Sequence, residues 1–233
     1  MAIILSIETA TEVCSAAVIR DGLLIAMAED ANRFNHSEKL TLSIEGLFRE
    51  SGISPAQLDA VCVSKGPGSY TGLRIGISTA KGICYALNIS LIAVSTLDAL
   101  ACFVAHNCKE TAVTPETLLC PMLDARRMEV YTAMFDYQGV PVYNTCAKII
   151  DSESFRSELE NHPVIFFGNG VEKCKSVINH PNACFIDNLQ ASAQFMSHLA
   201  EERFNKKQFE DVAYFEPFYL KDFIATTPKN KIL

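Results

Sequence analysis

The sequence has few basic residues, and they do not cluster. Lysine and arginine number 20 against 27 acidic residues, so the net charge is −7, and the densest basic spot is the pair Lys206-Lys207. A protein that grips RNA alone usually carries a basic patch that neutralises phosphates. We therefore expect any contact of this chain with RNA to depend on a partner.

Signals for membranes and secretion are also missing. No apolar stretch is long enough to span a bilayer, and MAIILSIETATE has neither a basic n-region nor a small-residue cleavage site. The nine cysteines form no C-x-x-C pair, and most lie in apolar runs. This usage is typical of small core residues in a reducing compartment. The sequence predicts a cytoplasmic protein without membrane attachment.

Metal and hydrolase motifs are absent as well. The five histidines form no H-x-x-x-H or H-E-x-x-H pair, and no G-x-S-x-G elbow occurs. We expect no built-in metal site and no serine hydrolase chemistry.

Hydrophobic patterning predicts a regular order of elements in both halves of the chain. The first half contains predicted strands at 2–7, 13–19 and 23–28, a helix from 37 to 52, a strand at 60–64, a helix at 71–87, a strand at 91–94 and a helix at 96–105. The second half contains predicted strands at 118–123, 129–135 and 140–143, a helix at 152–160, a strand at 164–167 and a helix at 191–206.

The second half begins by repeating the first. Glu8 and Asp124 each end a first strand and are 116 positions apart, whereas the hairpin glycines Gly22 and Gly139 are 117 apart. Chance similarity of two hydrophobic hairpins is the alternative, because hairpin signals are common. The duplication predicts an α/β protein with a two-lobed actin/Hsp70/sugar-kinase-like (ribonuclease H-like) fold and duplicated βββαβα lobes. We place the lobes at 1–105 and 106–233.

In that architecture ATP lies between the lobes, and several residues here are candidates for its phosphates. The candidate nucleotide or phosphate cleft comprises Glu8, Thr9, Thr11, Gly68, Ser69, Arg126, Arg127, Gly168 and Gly170. Two arginines can clamp a phosphate, but they can equally form an ion pair across the cleft with Glu8 or Glu12. ATP or ADP is therefore a candidate ligand of this cleft, and no intrinsic cofactor is expected.

The glycine-rich segment GPGSYTGLRIG at 66–76 raises the same question. Its spacing fits neither G-x-x-x-x-G-K-[ST] nor G-x-G-x-x-G, and Pro67 removes one backbone donor. A helix follows, with Ser69 or Thr71 as its cap, so an anion could bind at its N-terminus. A tight strand-to-helix turn with close packing is at least as good an interpretation.

Several segments together closely resemble the TsaB (YeaZ) family. They are IETATEVCSAAVIRDG, HSEKL, DAVCVSKGPGSYTGLRIGISTAKGICYALN, LIAVSTLDALA, DARRMEVY and the terminal EPFYLK. The similarity is strongest over residues 1–135. It implies the actin-like fold and a role in installing the threonylcarbamoyl group on the adenosine beside the tRNA anticodon.

The resemblance further implies a non-catalytic subunit. Such a protein pairs through its N-terminal lobe with the related catalytic transferase TsaD, and a TsaE-type ATPase joins the complex. In TsaD, histidines after the corresponding strand bind a metal. Thr96 and Leu100 occupy those positions here, and neither can replace an imidazole as ligand. No catalytic residue and no protease activity are expected.

Pairing through the N-terminal lobe suggests a partner-binding surface on its two long helices. The predicted partner-binding residues are His36, Leu40, Leu47, Gly72, Leu73, Gly76 and Ala80. The small residues at every fourth position of the second helix would permit close helix–helix approach. The same surface could form a homodimer when the chain is alone.

Two other functions remain open from the sequence. One is an ATP-dependent small-molecule kinase of the actin-like superfamily, although no convincing catalytic aspartate is found. The other is a nucleotide-binding regulatory module that does not hydrolyse its ligand.

Overall fold

Two five-stranded sheets form the framework of the molecule. The structure is a computed structural model that describes residues 2–30, 36–107 and 113–221, except the side chains of residues 36 and 37. The first sheet contains β1 (Ile3–Glu8), β2 (Cys14–Arg20), β3 (Leu23–Asp30), β4 (Ala60–Gly66) and β5 (Ser90–Ser95). The second contains β6 (Leu118–Asp124), β7 (Glu129–Phe135), β8 (Pro141–Ile149), β9 (Val164–Phe167) and β10 (Ala183–Ile186).

Six helices connect and cover these sheets in the described residues. They are α1 (His36–Ser51), α2 (Tyr70–Leu87), α3 (Thr96–Asn107), α4 (Arg156–Asn161), α5 (Val171–Cys174) and α6 (Ser197–Asn205). Short 3₁₀ turns at Pro55–Gln57 and Ala193–Met196 complete the order.

The two sheets have the same strand order, which confirms the duplication. The first reads β3-β2-β1-β4-β5, and the second, taken from its other edge, reads β8-β7-β6-β9-β10. In both sheets the first three strands run antiparallel and the last two join parallel to the first. The predicted α/β class and duplicated two-lobed fold are therefore confirmed.

Local sequence signals explain the main turns. Asp21 and Gly22 both have positive φ, at 50° and 74°, as a two-residue hairpin between β2 and β3 requires. Ser54 accepts a hydrogen bond from the first 3₁₀ turn, and the side chain of Gln57 accepts one from the Ser54 N–H. This reciprocal capping box stabilises the connection between α1 and β4.

One hydrophobic core runs between the sheets, and a second lies under α1 and α2. The core between the sheets joins Ile4, Cys62 and Val94 of the first sheet to Phe135 and Phe167 of the second. Helix α3 lies within this core and packs on β6. The opposite face of the first sheet is covered by α1 and α2.

The C-terminal end of the described chain returns to the first sheet. Helix α6 packs on β5 and β1. Residues 208–221, which we name the C-terminal strap, meet the edge strand β5 where Glu210 bridges to Leu91. Glu210 donates its N–H to the Leu91 carbonyl, and Lys81 donates to two strap carbonyls. The division into lobes at 105/106 stays a prediction, but residues after 191 contact elements on both sides of it.

The structure also differs from the predicted elements in several places. The amphipathic segment 191–206 forms a 3₁₀ turn followed by the shorter α6, and β8 extends six residues beyond the predicted end. The elements α5 and β10 were not predicted, because a four-residue element is too short to show periodicity. These differences lie in the second half, where the sequence patterns are weakest.

Candidate functional site

Glu8 lies at the end of β1, where the actin-like architecture places its phosphate-side acid. Its side chain is 1% exposed, and its Oε1 atom accepts hydrogen bonds from the Ala10 N–H at 2.6 Å and the Ser64 hydroxyl at 2.7 Å. Within the described residues, Oε2 has no hydrogen-bond partner. Burial raises the pKa of Glu8 to about 7, against the smaller lowering effect of these hydrogen bonds.

The predicted phosphate residues after Glu8 are packed against the glycine segment. Thr9 and Thr11 are buried. A Cβ atom at Gly68 would overlap the Ala10 carbonyl, one at Gly72 the Thr9 carbonyl, and one at Gly76 the Thr9 hydroxyl. The Ser69 N–H also donates to the Ala10 carbonyl at 2.7 Å. The chain's own atoms therefore fill the space on the Cβ side of these glycines, which gives the glycines a packing role.

Ser69 has a structural role at the start of α2. Its hydroxyl accepts a hydrogen bond from the Gly72 N–H at 3.2 Å, which is the geometry of an N-cap. The cap predicted from the sequence is thus Ser69 rather than Thr71.

The corresponding loop of the second half is built in the same way. A Cβ atom at Gly168, whose φ is 105°, would overlap the Met122 carbonyl, and one at Gly170 would lie 3.0 Å from the Leu123 carbonyl carbon. The Gly170 N–H donates to the Met122 carbonyl. Both loops therefore use glycine to bring a strand end close, which is a packing function. Binding of ATP or ADP stays a prediction.

The two arginines lie on an exposed turn between β6 and β7. Arg126 and Arg127 both have positive φ, and the Arg126 N–H donates to Asp124. The Asp124 carboxylate is paired with Lys173. Glu8 takes its hydrogen bonds from Ser64 and Ala10 instead, so the ion pair considered between these arginines and Glu8 is not formed, and the alternative pair with Glu12 stays a prediction.

Most of the predicted partner-binding side chains lie in the chain's own core. Leu40, Leu47, Leu73 and Ala80 are almost fully buried, and Gly72 and Gly76 lie against Thr9, the residue after β1. The sequence correctly places these residues on one face of each helix. The prediction that this face meets a partner was wrong, because it packs on the first sheet. His36 begins α1, and its side chain lies outside the described residues.

The outward faces of α1 and α2 carry a different set of residues. Leu42 is 65% exposed on α1, and Tyr85 is 85% exposed on α2. Gly46 and Gly82 lie on the same helices, and a methyl group added at either would meet nothing within 4 Å in the described chain. A glycine in a helix interior costs about 0.5–1 kcal/mol relative to alanine. No contact within the described chain explains why these two positions are glycines. Packing inside the chain therefore does not account for the missing side chains on these outward faces.

Comparison with known proteins identifies the family. Residues 29–229 match the family model described as TsaD, tRNA N6-adenosine threonylcarbamoyltransferase. The tRNA threonylcarbamoyladenosine biosynthesis protein TsaB of Bacillus subtilis is 33% identical over 181 residues, covering 75% of this chain and 74% of that protein. The chain belongs to the TsaB (YeaZ) family.

Solved structures agree with this fold. A Pseudomonas aeruginosa protein, described as uncharacterized with similarity to peptidase YeaZ, has a TM-score of 0.81 at 24% identity, covering 95% of this chain and all of that one. The activator of 2-hydroxyisocaproyl-CoA dehydratase from Clostridium difficile, solved with ADPNP, has a TM-score of 0.52 at 11% identity, covering 88% and 97%. The second likeness shows that the TsaB family shares its fold with a nucleotide-binding protein.

Within the TsaB family fold, the positions compared with the transferase's histidines are enclosed. Thr96 and Leu100 lie in the first two turns of α3 and are fully buried, with Leu100 in the core between the sheets. No group of three or more His, Cys, Asp or Glu side chains that could hold a metal occurs in residues 2–30, 36–107 and 113–221. In the same ranges, no helix is long and apolar enough to cross a membrane.

Proposed function

We propose that this chain acts in the biosynthesis of threonylcarbamoyladenosine in tRNA, as a non-catalytic subunit that binds a TsaD-type transferase and holds it in an active shape. Its similarity to a protein named for that biosynthesis supports the pathway. The match to the TsaD family model supports a partner with a related fold, because paralogous subunits often pair through equivalent surfaces.

The observation that carries the non-catalytic role is the burial of Thr96 and Leu100. A metal ligand must point into a space that a metal and a substrate can enter. Both side chains are instead fully buried, and Leu100 packs in the same core as Cys62 and Val94, so restoring histidines there would place imidazoles among apolar groups. The helix that carries the reaction centre in the transferase is a structural element here.

The partner surface that fits this role is the outward face of α1 and α2. Leu42 and Tyr85 expose apolar area there, and aromatic side chains are frequent anchors of protein interfaces. Gly46 and Gly82 would let a partner helix approach closely. Helices α1 and α2 pack against each other, so these residues lie on neighbouring elements. A TsaE-type ATPase would join this pair, and a homodimer would form through the same face when the transferase is absent.

Reconstitution tests the function directly. A TsaD-type transferase from the same genome, a TsaE-type ATPase, threonylcarbamoyl-AMP and tRNA are incubated with and without this chain, and modified nucleoside is measured by mass spectrometry. We expect modification to require the chain and to be unchanged by Thr96→Val, which keeps the core shape. Modification at an equal rate without the chain would contradict the proposal, and its loss in a folded Thr96→Val variant would contradict the non-catalytic role.

A further inference from the structure

A cavity of about 380 Å³ lies between the two sheets, beside the start of the glycine-rich segment, since its lining residue Lys65 precedes Gly66. Its floor comes from the ends of β4 and β5 and the first turn of α3, and its other walls from β7, β8 and the C-terminal strap. This volume is near the lower end of the range for cavities that bind small molecules. No role discussed above uses it.

Two opposite charges line this cavity. Lys65 lies near the end of β4, and Asp98 lies in the first turn of α3, where its N–H donates to the Ser95 hydroxyl at 3.3 Å. Burial raises the pKa of Asp98, whereas Ser95, Arg203 and Lys65 lower it. The positive charge of Lys65 therefore acts on the Asp98 carboxyl. The two side chains form no ion pair within 4.0 Å in the described chain, and both line the cavity, where Asp98 also has the Ser95 side chain and the charge of Arg203 as neighbours.

Three of the seven remaining lining residues are aromatic, and the other four are small or polar. Phe135 closes one side and is buried, whereas Tyr143 and Phe218 are partly exposed. The position of Phe218 is fixed by its own N–H, which donates to the Lys65 carbonyl at 2.8 Å. The C-terminal strap thus places Phe218 next to Lys65. A molecule in the cavity would cover exposed aromatic surface that the chain itself leaves uncovered.

We propose that this cavity binds an α-amino acid with an aromatic side chain. Lys65 would bind the carboxylate, Asp98 the ammonium group, and Phe135, Tyr143 and Phe218 the ring. A ligand with only one of the two charges would leave the other charged side chain partly desolvated and unpaired, which weakens binding. This inference is independent of pairing with a transferase, because the cavity lies away from the outward faces of α1 and α2.

Titration calorimetry of the full chain with three related probes tests the charge arrangement. The probes are phenylalanine, 3-phenylpropionate, which lacks the ammonium group, and phenethylamine, which lacks the carboxylate. We expect phenylalanine to bind at least about tenfold more tightly than either analogue. Absence of heat up to millimolar phenylalanine, or equal affinity for all three probes, would overturn the proposal.

Variants locate the site. Lys65→Met should weaken phenylalanine about tenfold and leave phenethylamine unchanged, because that amine never used the ammonium of Lys65. Phe218→Ala should weaken phenylalanine, whereas Phe209→Ala, with 40% exposure against 44% for Phe218, should not. Circular dichroism and thermal melts confirm that each variant is folded. Phenylalanine binding that is unchanged in both folded variants, Lys65→Met and Phe218→Ala, would show that the ligand binds elsewhere and would overturn the assignment.

Discussion

Ser64 donates its hydroxyl hydrogen to Glu8 across the join between β4 and β1, at 2.7 Å. The pair lies at the strand ends where an actin-like protein would meet phosphate and cation. Here the carboxyl is enclosed and partly protonated near neutral pH, since burial raises its pKa to about 7. The acid at this strand end is therefore part of the buried core.

Replacement of this acid should change how stability depends on pH. The folded-state pKa of about 7 lies above the ordinary value of 4.5, so the folded state binds the proton more tightly. The stabilising contribution of Glu8 is therefore complete below about pH 4.5 and is lost as pH rises through 7. Glu8→Gln, which keeps an acceptor for Ser64, should be more stable than the natural chain at pH 8, by on the order of 3 kcal/mol.

The measurement is urea unfolding of both proteins at pH 5, 6, 7 and 8. The difference between them should grow with pH. A Glu8→Gln variant that is less stable at pH 8 would show instead that an ionised Glu8 stabilises the fold.

The glycines of α2 should respond in opposite directions to alanine. Gly76→Ala places a methyl group on the Thr9 hydroxyl and should destabilise the fold by about 1–3 kcal/mol. A methyl group added at Gly82 would contact no atom within 4 Å, so Gly82→Ala should stabilise the fold by about 0.5–1 kcal/mol. Thermal melts of the two variants measure both effects. Equal changes would mean that Gly76 does not pack on Thr9.

The C-terminal strap should depend on Lys81. Its ammonium donates to the Ala213 carbonyl at 3.0 Å and the Phe215 carbonyl at 3.1 Å. Lys81→Met keeps the aliphatic stem and should cost about 1–2 kcal/mol, with faster amide exchange in residues 213–218. Lys206→Met, which removes an exposed ion pair with Glu202, is the matched control and should change stability by less than about 0.5 kcal/mol. Unaltered exchange in the strap of Lys81→Met would show that other contacts hold it.

The sequence predicted the framework well because its strongest signals are local. The Asp21-Gly22 turn and the Ser54 capping box need only a few neighbouring residues, and the structure contains both. The matching offsets of the two halves also predicted the repeated strand order. Elements whose signals depend on distant contacts, such as β10, were missed.

The candidate site was harder to predict because the sequence does not show which neighbour covers a given helix face. Gly72, Gly76 and Leu73 form a stripe that sequence alone can place on one face of a helix, but either a partner or the chain itself could cover that face. The structure shows that β1 and the residues after it cover the glycines. The outward residues Gly46, Gly82 and Tyr85 could have been noticed as glycines and an aromatic side chain opposite the apolar stripe. The cavity at Lys65 and Asp98 had no sequence signal, since its walls come from several separate elements.

Complex formation with the TsaD-type transferase of the same genome tests the central claim most directly. The dissociation constant is measured by calorimetry, with size exclusion and light scattering to establish stoichiometry. We compare the natural chain with Tyr85→Ala and with Tyr214→Ala, since the two tyrosines are 85% and 84% exposed. The account predicts a complex that Tyr85→Ala weakens at least about tenfold and Tyr214→Ala leaves unchanged. No complex with the natural chain, or equal binding by both variants, would contradict it.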